Sequence, residues 1–211
     1  MPNVNGNGRG APKHLILASG SRTRQSMLHS AGIAHTVIPA DLDEAAIRQA
    51  LTGDTEDVDP SDIAEVLARA KAEHVSGQDR DGLVIGSDQV LALNGEIFEK
   101  PATVEAAQTS LLKLRGHTHQ LHTAVALASQ GEVVWSYVET AHITMRNYSE
   151  KSLAEYLVKA GDIVCESVGG YQLEGLGVQL MEKVDGNHFT ILGMPLLPLL
   201  NELRDRGMVD V

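Results

Sequence analysis

The chain has 211 residues, 43% of them hydrophobic and 21% charged, which is enough for one large domain or two closely joined lobes around a sizeable core and unlike a disordered chain. A formal net charge of −11 excludes a broad nucleic-acid or anionic-membrane surface, since such binding needs clustered Lys and Arg; a phosphate ligand would need positive charge gathered locally or brought by a metal ion. The single cysteine, Cys165, rules out an internal disulfide framework or a cysteine zinc site and suits the cytoplasm, and no apolar run approaches the roughly 20 residues of a membrane span.

Residues 1–12, rich in Asn and Gly and without the apolar stretch of a signal peptide, read as a flexible tail ahead of a single domain over 13–211. A short apolar strand over Leu15 to Ala18 stops at Ser19-Gly20-Ser21, and Ser21 is placed to cap a helix from Arg22 to Ser30. A strand that turns through a small polar loop into a helix points unpaired backbone N–H groups, and the positive end of the helix dipole, at one spot. Arg24, one turn into that helix, adds a bidentate fork for phosphate oxygens. The loop lacks the spacings of the Walker and dinucleotide-binding glycine motifs.

A second strand is expected over Ala34 to Ile38, followed by the crowded acids Asp41, Asp43 and Glu44, which read either as a solvated helix start or as groups facing a metal ion. The acidic segment Thr52 to Asp59 leads into a helix from Pro60 to about Ser76, with an apolar stripe of Ile63, Val66, Leu67 and Ala70 and with Lys71 on its border, free to snorkel to water. Leu83 to Ile85 read as a short buried strand running out at a small loop that bears Asp88, at the carboxyl end where ligands of open α/β sheets gather. Asn94-Gly95 signals a tight hairpin between Leu91–Leu93 and Glu96–Phe98.

A helix over Val104 to Leu114 precedes two long alternating segments, His117 to Ser129 and Glu132 to Arg146, whose antiparallel pairing makes the sheet mixed. His117, His119 and His122 raise a zinc site, although only the first two share a strand face. Ser149 caps a helix through Val158, and the glycine-rich stretch Ser167 to Gly177 is suited to letting backbone approach a ligand. Two strands, Val178 to Val184 and His188 to Leu192, are expected around a turn at Asp185-Gly186, before a last helix that starts at Pro195 and ends near Gly207.

These pieces resemble, in this order, the Maf-like nucleotide pyrophosphatases. The matching stretches are Ala18-Ser19-Gly20-Ser21 with Arg24, Asp43-Glu44, Lys71, Gly86-Ser87-Asp88, Lys100-Pro101, Thr123, Gly170-Tyr171 with Glu174-Gly175-Leu176-Gly177, and Gly193-Met194-Pro195-Leu196. The resemblance implies an α/β fold of the Maf/ITPase-like kind: an elongated twisted mixed sheet flanked by helices, in two lobes with a nucleotide in the central cleft. It implies hydrolysis of a nucleoside triphosphate to monophosphate and pyrophosphate, dependent on a divalent cation such as Mg²⁺ or Mn²⁺, with homodimers common among relatives and with no nucleic-acid polymer or membrane as partner.

Carried onto this chain, the resemblance implies that Arg24, Lys71 and Lys100 gather the positive charge, that Ser19 and Ser21 hold phosphate oxygens, and that Asp88 serves as base for the attacking water and touches the metal. Glu44 is the second candidate metal ligand, from charge and position, since Mg²⁺ prefers oxygen donors and keeps several waters. Where many relatives carry Pro-Arg-Arg, this chain has Arg22-Thr23-Arg24, and Glu174 with Asp88-Gln89-Val90 looks closer to the branch acting on 7-methylguanosine triphosphate than to the branch favouring thymidine and uridine triphosphates, although the tryptophan that the former often shows at position 23 is missing. Glu174 could accept hydrogen bonds from a guanine-type N1–H and N2–H₂. A non-catalytic nucleotide-binding regulator of cell division is the alternative from a different class, and it would not need an aspartate beside the phosphates.

Overall fold

The computed structural model describes residues 12–53 and 58–210, so the expected tail over 1–12, apart from Pro12, and the middle of the acidic segment before Pro60 lie outside the described residues. Among the described residues, seven strands form one mixed sheet. β1 (His14–Leu17) leads through the serine loop into α1 (Arg22–Ser30), and β2 (Thr36–Val37) lies parallel to β1 on its outer side. α2 (Glu44–Thr52) and α3 (Pro60–Ser76) precede the central strand β3 (Gly82–Leu93). The hairpin partner β4 (Glu96–Phe98), α4 (Val104–Leu114), β5 (Thr118–Ser129), β6 (Glu132–Met145) and α5 (Glu150–Ala160) follow. β7 (Met181–Asp185), α6 (His188–Ile191) and α7 (Leu196–Asp205) complete the chain. The spatial order is β2-β1-β3-β5-β6-β7, with β4 attached to β3.

Two of the turns follow directly from local chemistry. Asn94 and Gly95 both have positive φ, 52° and 85°, the pair of left-handed residues that a type I′ hairpin requires. Pro60 sits at the start of α3, where a missing N–H costs nothing, and the Asp59 side chain accepts from Ser61 N at 2.8 Å.

Alternation along β1, β3 and β5 builds two cores on opposite faces of the same strands. Ile16, Val84 and Ala126 face α3 through Ile63, Leu67 and Ala68, whereas Leu17, Ile85 and Leu127 face α1 and α7 through Leu28, Leu199 and Leu203. A third cluster, in which Leu91, Leu121 and Ile143 pack with Leu111, Leu114 and Leu153 from α4 and α5, forms the second lobe. The expected two-lobed α/β architecture with a mixed sheet is the one observed. No helix among the described residues is long and apolar enough to cross a membrane.

β3 is one strand of twelve residues, not the short strand and loop expected around Asp88. Its antiparallel pairing with β5 runs unbroken from Leu83 to Ala92 and carries the chain straight through Gly86-Ser87-Asp88, three residues whose small or polar character imitates a turn. On the opposite edge, β1 pairs with Gly82 to Ile85 and β4 with Leu91 to Leu93. Among the described residues, no strand covers that edge of β3 between Gly86 and Val90, and Asp88 sits in the gap.

α3 departs from its expected stripe by about one residue. Ile63, Ala64, Leu67, Ala68, Ala72 and Val75 are buried, whereas Val66 is exposed and Ala70 half-buried, because a face of alanines lies flat against the strands. The fit is closest at Gly86, where an added Cβ would lie 2.2 Å from the Ala68 carbonyl oxygen and 2.7 Å from Ala72 N. Lys71 therefore does not snorkel: it is 7% exposed and lies against β3.

The two strands expected near the C-terminus are also revised. Leu176–Leu180 is a 3-10 turn, the strand begins only at Met181, and His188–Ile191 is a helical turn capped by the Asn187 side chain, which accepts from Phe189 N at 2.9 Å. Asp185-Gly186 is not a hairpin turn, because Gly186 (φ 145°) lies over Ala141 of β6, where a Cβ would come within 2.5 Å of the Ala141 methyl.

Gly86→Ala must push α3 off the sheet or strain the strand, at a cost of about 2 kcal/mol or more, and is expected to lower the melting temperature by about 4–8 °C. An unchanged melting curve would show that this close approach is dispensable.

Candidate active site

A cleft of about 560 Å³ opens over the gap in the β3 edge, between the two lobes. Ser19, Ser21, Arg24, Glu44, Lys71, Asp88, Lys100 and Glu174, drawn from six separate parts of the sequence, all line it. Five basic side chains (Arg22, Arg24, Arg48, Lys71, Lys100) and four acidic ones (Glu44, Asp88, Glu166, Glu174) face this space, so the cleft is locally balanced or slightly positive in a strongly acidic chain.

The first wall is the serine loop. Ser21 caps α1 by accepting from Arg24 N at 3.4 Å, and Ser19 Oγ accepts from Ser21 N at 3.3 Å and from Arg24 Nη1 at 3.2 Å. Arg24 Nε donates to the Gly193 carbonyl at 2.7 Å, and the same oxygen accepts from the buried Ser87 hydroxyl at 2.9 Å. Gly193 has φ +108°, a left-handed conformation that suits glycine. The C-terminal Gly193-Met194 turn thus clamps the arginine of the first helix. Burial pulls the Arg24 guanidinium below its ordinary pKa while Asp88 and Glu44 act in the opposite direction, and a guanidinium stays charged through such shifts.

The floor is an ion-pair chain. Lys71 Nζ donates to Asp88 Oδ1 at 2.7 Å and lies 2.9 Å from Glu44 Oε1, and Glu44 Oε2 lies 3.2 Å from Arg48 Nη2 one turn further along α2. Glu44 stands at the start of α2 because the Asp43 side chain caps that helix, accepting from Ala46 N at 2.9 Å. Asp43 thus serves the helix, as the reading of a helix start expects, while Glu44 lines the cleft. Asp88 Oδ2 is buried and has no hydrogen-bond partner, so one oxygen of the central carboxylate is free for a ligand.

The far wall comes from the second lobe. Lys100, just past β4, and Glu174, in the glycine-rich stretch, are both exposed side chains at the cleft lining. That stretch is tethered from beneath. Tyr171 and His119 Nε2 are 2.5 Å apart, the Tyr156 hydroxyl donates to the Gly170 carbonyl at 3.0 Å, and Ser167 Oγ donates to the Tyr171 carbonyl at 2.5 Å. Gly170 has φ 71°, and a Cβ on Gly169 would strike the Tyr171 ring at 2.3 Å.

The three histidines do not assemble into a zinc site. His119 is occupied with Tyr171, His122 Nδ1 lies 3.0 Å from Thr140 Oγ1 on the other face of β5, and no group of three or more His, Cys, Asp or Glu among the described residues could hold a metal ion.

Sequence reasoning gave no role to Arg48 and no orientation to Gln89. Arg48 was legible only as an i,i+4 neighbour of Glu44. The Gln89 amide nitrogen donates to Thr123 Oγ1 at 2.9 Å and to the Thr190 and Ile191 carbonyls at 3.0 and 3.2 Å, so its amide oxygen is the atom left for the cleft that Gln89 lines.

A two-lobed mixed sheet whose cleft gathers cations around one half-free buried carboxylate defines an α/β protein built to receive a small polyanion. The chain belongs to the Maf-like protein family, whose model matches residues 14–206. It is 48% identical over 198 residues to a 7-methyl-GTP pyrophosphatase of Brucella abortus, covering 93% of this chain and 98% of that one. It is also 48% identical over 192 residues to a nucleoside triphosphate pyrophosphatase of Paramagnetospirillum magneticum, covering 91% and 98%. The solved structure of the Staphylococcus aureus Ham1 protein overlays with a TM-score of 0.42 at 20% identity, covering 65% of this chain and 76% of that one.

Burial holds His119 at a pKa of about 4, against an ordinary 6.5. The unfolded chain binds a proton at this ring as the pH falls below 6.5 and the folded chain does not until about 4, so the contribution of His119 to stability is complete above pH 6.5 and is lost on acidification towards pH 4. Urea melts of His119→Gln are therefore expected to fall less steeply between pH 6.5 and 4 than those of the wild type. Parallel curves would show that the ring is protonated in the native state.

Proposed function

We propose that this protein is a nucleoside triphosphate pyrophosphatase that hydrolyses its substrate between the α- and β-phosphates, with a 7-methylguanosine triphosphate as the favoured substrate, and that it works in the cytoplasm, where a homodimer is the assembly to look for. The observation that carries the reading is the buried Asp88 carboxylate, engaged by Lys71 at one oxygen and free at the other, in a cleft whose cations come from both lobes. The names of its close relatives support the same reaction class.

In this reading the serine loop and Arg24 take phosphate oxygens, through side-chain N–H groups and the α1 N-terminus. Asp88 Oδ2 accepts a proton from a water whose oxygen bonds to the α-phosphorus, and the electron pair of the broken α–β bridge leaves with pyrophosphate. Lys71, fixed between Asp88 and Glu44, keeps that carboxylate oriented and places a positive charge beside the phosphates. The free Asp88 Oδ2 and the Glu44 carboxylate are oxygen donors that fit a Mg²⁺ or Mn²⁺ ion. When bound there, such an ion would neutralise charge on the polyphosphate. Glu174, exposed at the opposite wall, provides acceptors for a guanine N1–H and N2–H₂ and a negative charge for a cationic methylated base.

Incubation of the protein with mixed triphosphates and Mg²⁺ is expected to release pyrophosphate. Orthophosphate alone rejects the bond assignment, and no product at all favours a binding protein. Asp88→Asn should lower turnover by at least about 100-fold while metal-free nucleotide binding stays within a few-fold; comparable turnover removes Asp88 from the base role. Glu174→Gln is expected to reorder a steady-state panel of methylated and unmodified triphosphates, and an unchanged ranking would separate Glu174 from base selection.

A further inference from the structure

We infer that Arg48, on α2, is a second arginine of the phosphate wall that leaves Glu44 to grip the terminal, pyrophosphate end of the substrate; the inference rests on the pyrophosphatase reading of the same cleft. Arg48 lines the cleft, and its side chain is about one quarter exposed. Its Nη2 makes a single contact with Glu44 Oε2 at 3.2 Å, while its Nε is buried and has no hydrogen-bond partner. Glu44 is already engaged at its other oxygen by Lys71, which Asp88 also holds. Two carboxylates, Glu44 and Asp88, thus face three cations, Arg24, Lys71 and Arg48, and one positive charge in this part of the cleft remains uncompensated.

A guanidinium held by one oxygen at one nitrogen is using a fraction of a donor set shaped for two oxygens at once. An i,i+4 ion pair on a partly exposed helix is weak and easily surrendered, whereas a phosphate can satisfy the Nε and Nη2 donors together. Position decides which phosphate. Glu174 and the tethered glycine-rich stretch occupy the wall of the second lobe, and Arg48 stands with the serine loop, Arg24 and Lys71 on the opposite wall. A nucleotide that lays its base against the second lobe extends its polyphosphate towards α2.

The test is calorimetric titration of the full chain with inorganic pyrophosphate and, separately, with a nucleoside monophosphate, for wild type, Arg48→Met and Arg48→Lys, alongside Mn²⁺ titration of the same proteins by electron paramagnetic resonance. Arg48→Met is expected to weaken pyrophosphate binding about tenfold or more and to leave monophosphate and Mn²⁺ affinities within about twofold, with Arg48→Lys recovering part of the loss by restoring a point charge. Unchanged pyrophosphate affinity in Arg48→Met overturns the assignment. So does an equal loss for pyrophosphate, monophosphate and Mn²⁺, which would mean that Arg48 acts only by holding Glu44. Wild-type turnover is scored on its own: a protein that binds pyrophosphate through Arg48 yet releases none from any triphosphate sinks the pyrophosphatase reading and leaves the Arg48 contact standing.

Discussion

The ion pair between Lys71 and Asp88 is the constraint on which the rest of the site depends. Both groups are almost fully buried, and taking two charges out of water costs several kcal/mol for each ion unless geometry and further contacts compensate. Here compensation is partial. Lys71 also meets Glu44, but Asp88 keeps one oxygen without any partner in a buried position, where a polar atom ordinarily finds one. Such an arrangement adds little to stability. In the pyrophosphatase proposed above it holds a carboxylate in place and leaves it open on one side.

Three unrelated packing decisions bring that pair together. The first is the absence of a side chain at Gly86, which lets the alanine face of α3 touch the strand and sets Lys71 directly over β3. The second is the division of labour along the edge of β3, where β1 stops at Ile85 and β4 resumes at Leu91. Backbone that would otherwise be sealed in a ladder is left open to a cleft, and β1 uses its freedom to turn through Ser19-Gly20-Ser21 into α1. The third is the return of the chain from the C-terminus, where the Gly193 carbonyl binds both Arg24 and Ser87 and so ties the serine loop to the same strand as Asp88.

The two walls differ in how they are held. The wall of the first lobe is fixed by charge and by helix capping, through Asp43, Ser21 and the chain from Asp88 to Arg48. The wall of the second lobe, with its dense glycines, is anchored by Val168, Tyr171 and Leu173 in that lobe's core and by the hydroxyls of Tyr156, Tyr171 and Ser167. A buried, neutral His119 meeting Tyr171 fits that purpose, since a charged ring at that depth would pull water in rather than hold a loop still.

Much of this molecule was legible in its sequence, because the relevant signals are local. A short continuous apolar run marked β1, and alternating segments marked β5 and β6; Ser21, Asp59 and Ser149 announced helix starts; Asn94-Gly95 could hardly be anything but a tight hairpin; and short motifs in a family order named eight cleft residues that do line one cavity. What failed in the sequence reading were segments whose local character is overruled by a distant partner. Gly86-Ser87-Asp88 looks like a loop until β5 pairs across it, Asp185-Gly186 looks like a hairpin until Ala141 lies beneath it, and Lys71 looks like a surface lysine until α3 is pressed against β3. Residue types and spacing determined which elements form and which side chains carry useful chemistry, since those depend on neighbours within a turn or two. Only the tertiary structure decided that Lys71 is held between Asp88 and Glu44 at the floor, that Asp88 retains a free oxygen, and that Arg48 belongs beside them, because charge, burial and reach are set by groups far apart in the chain.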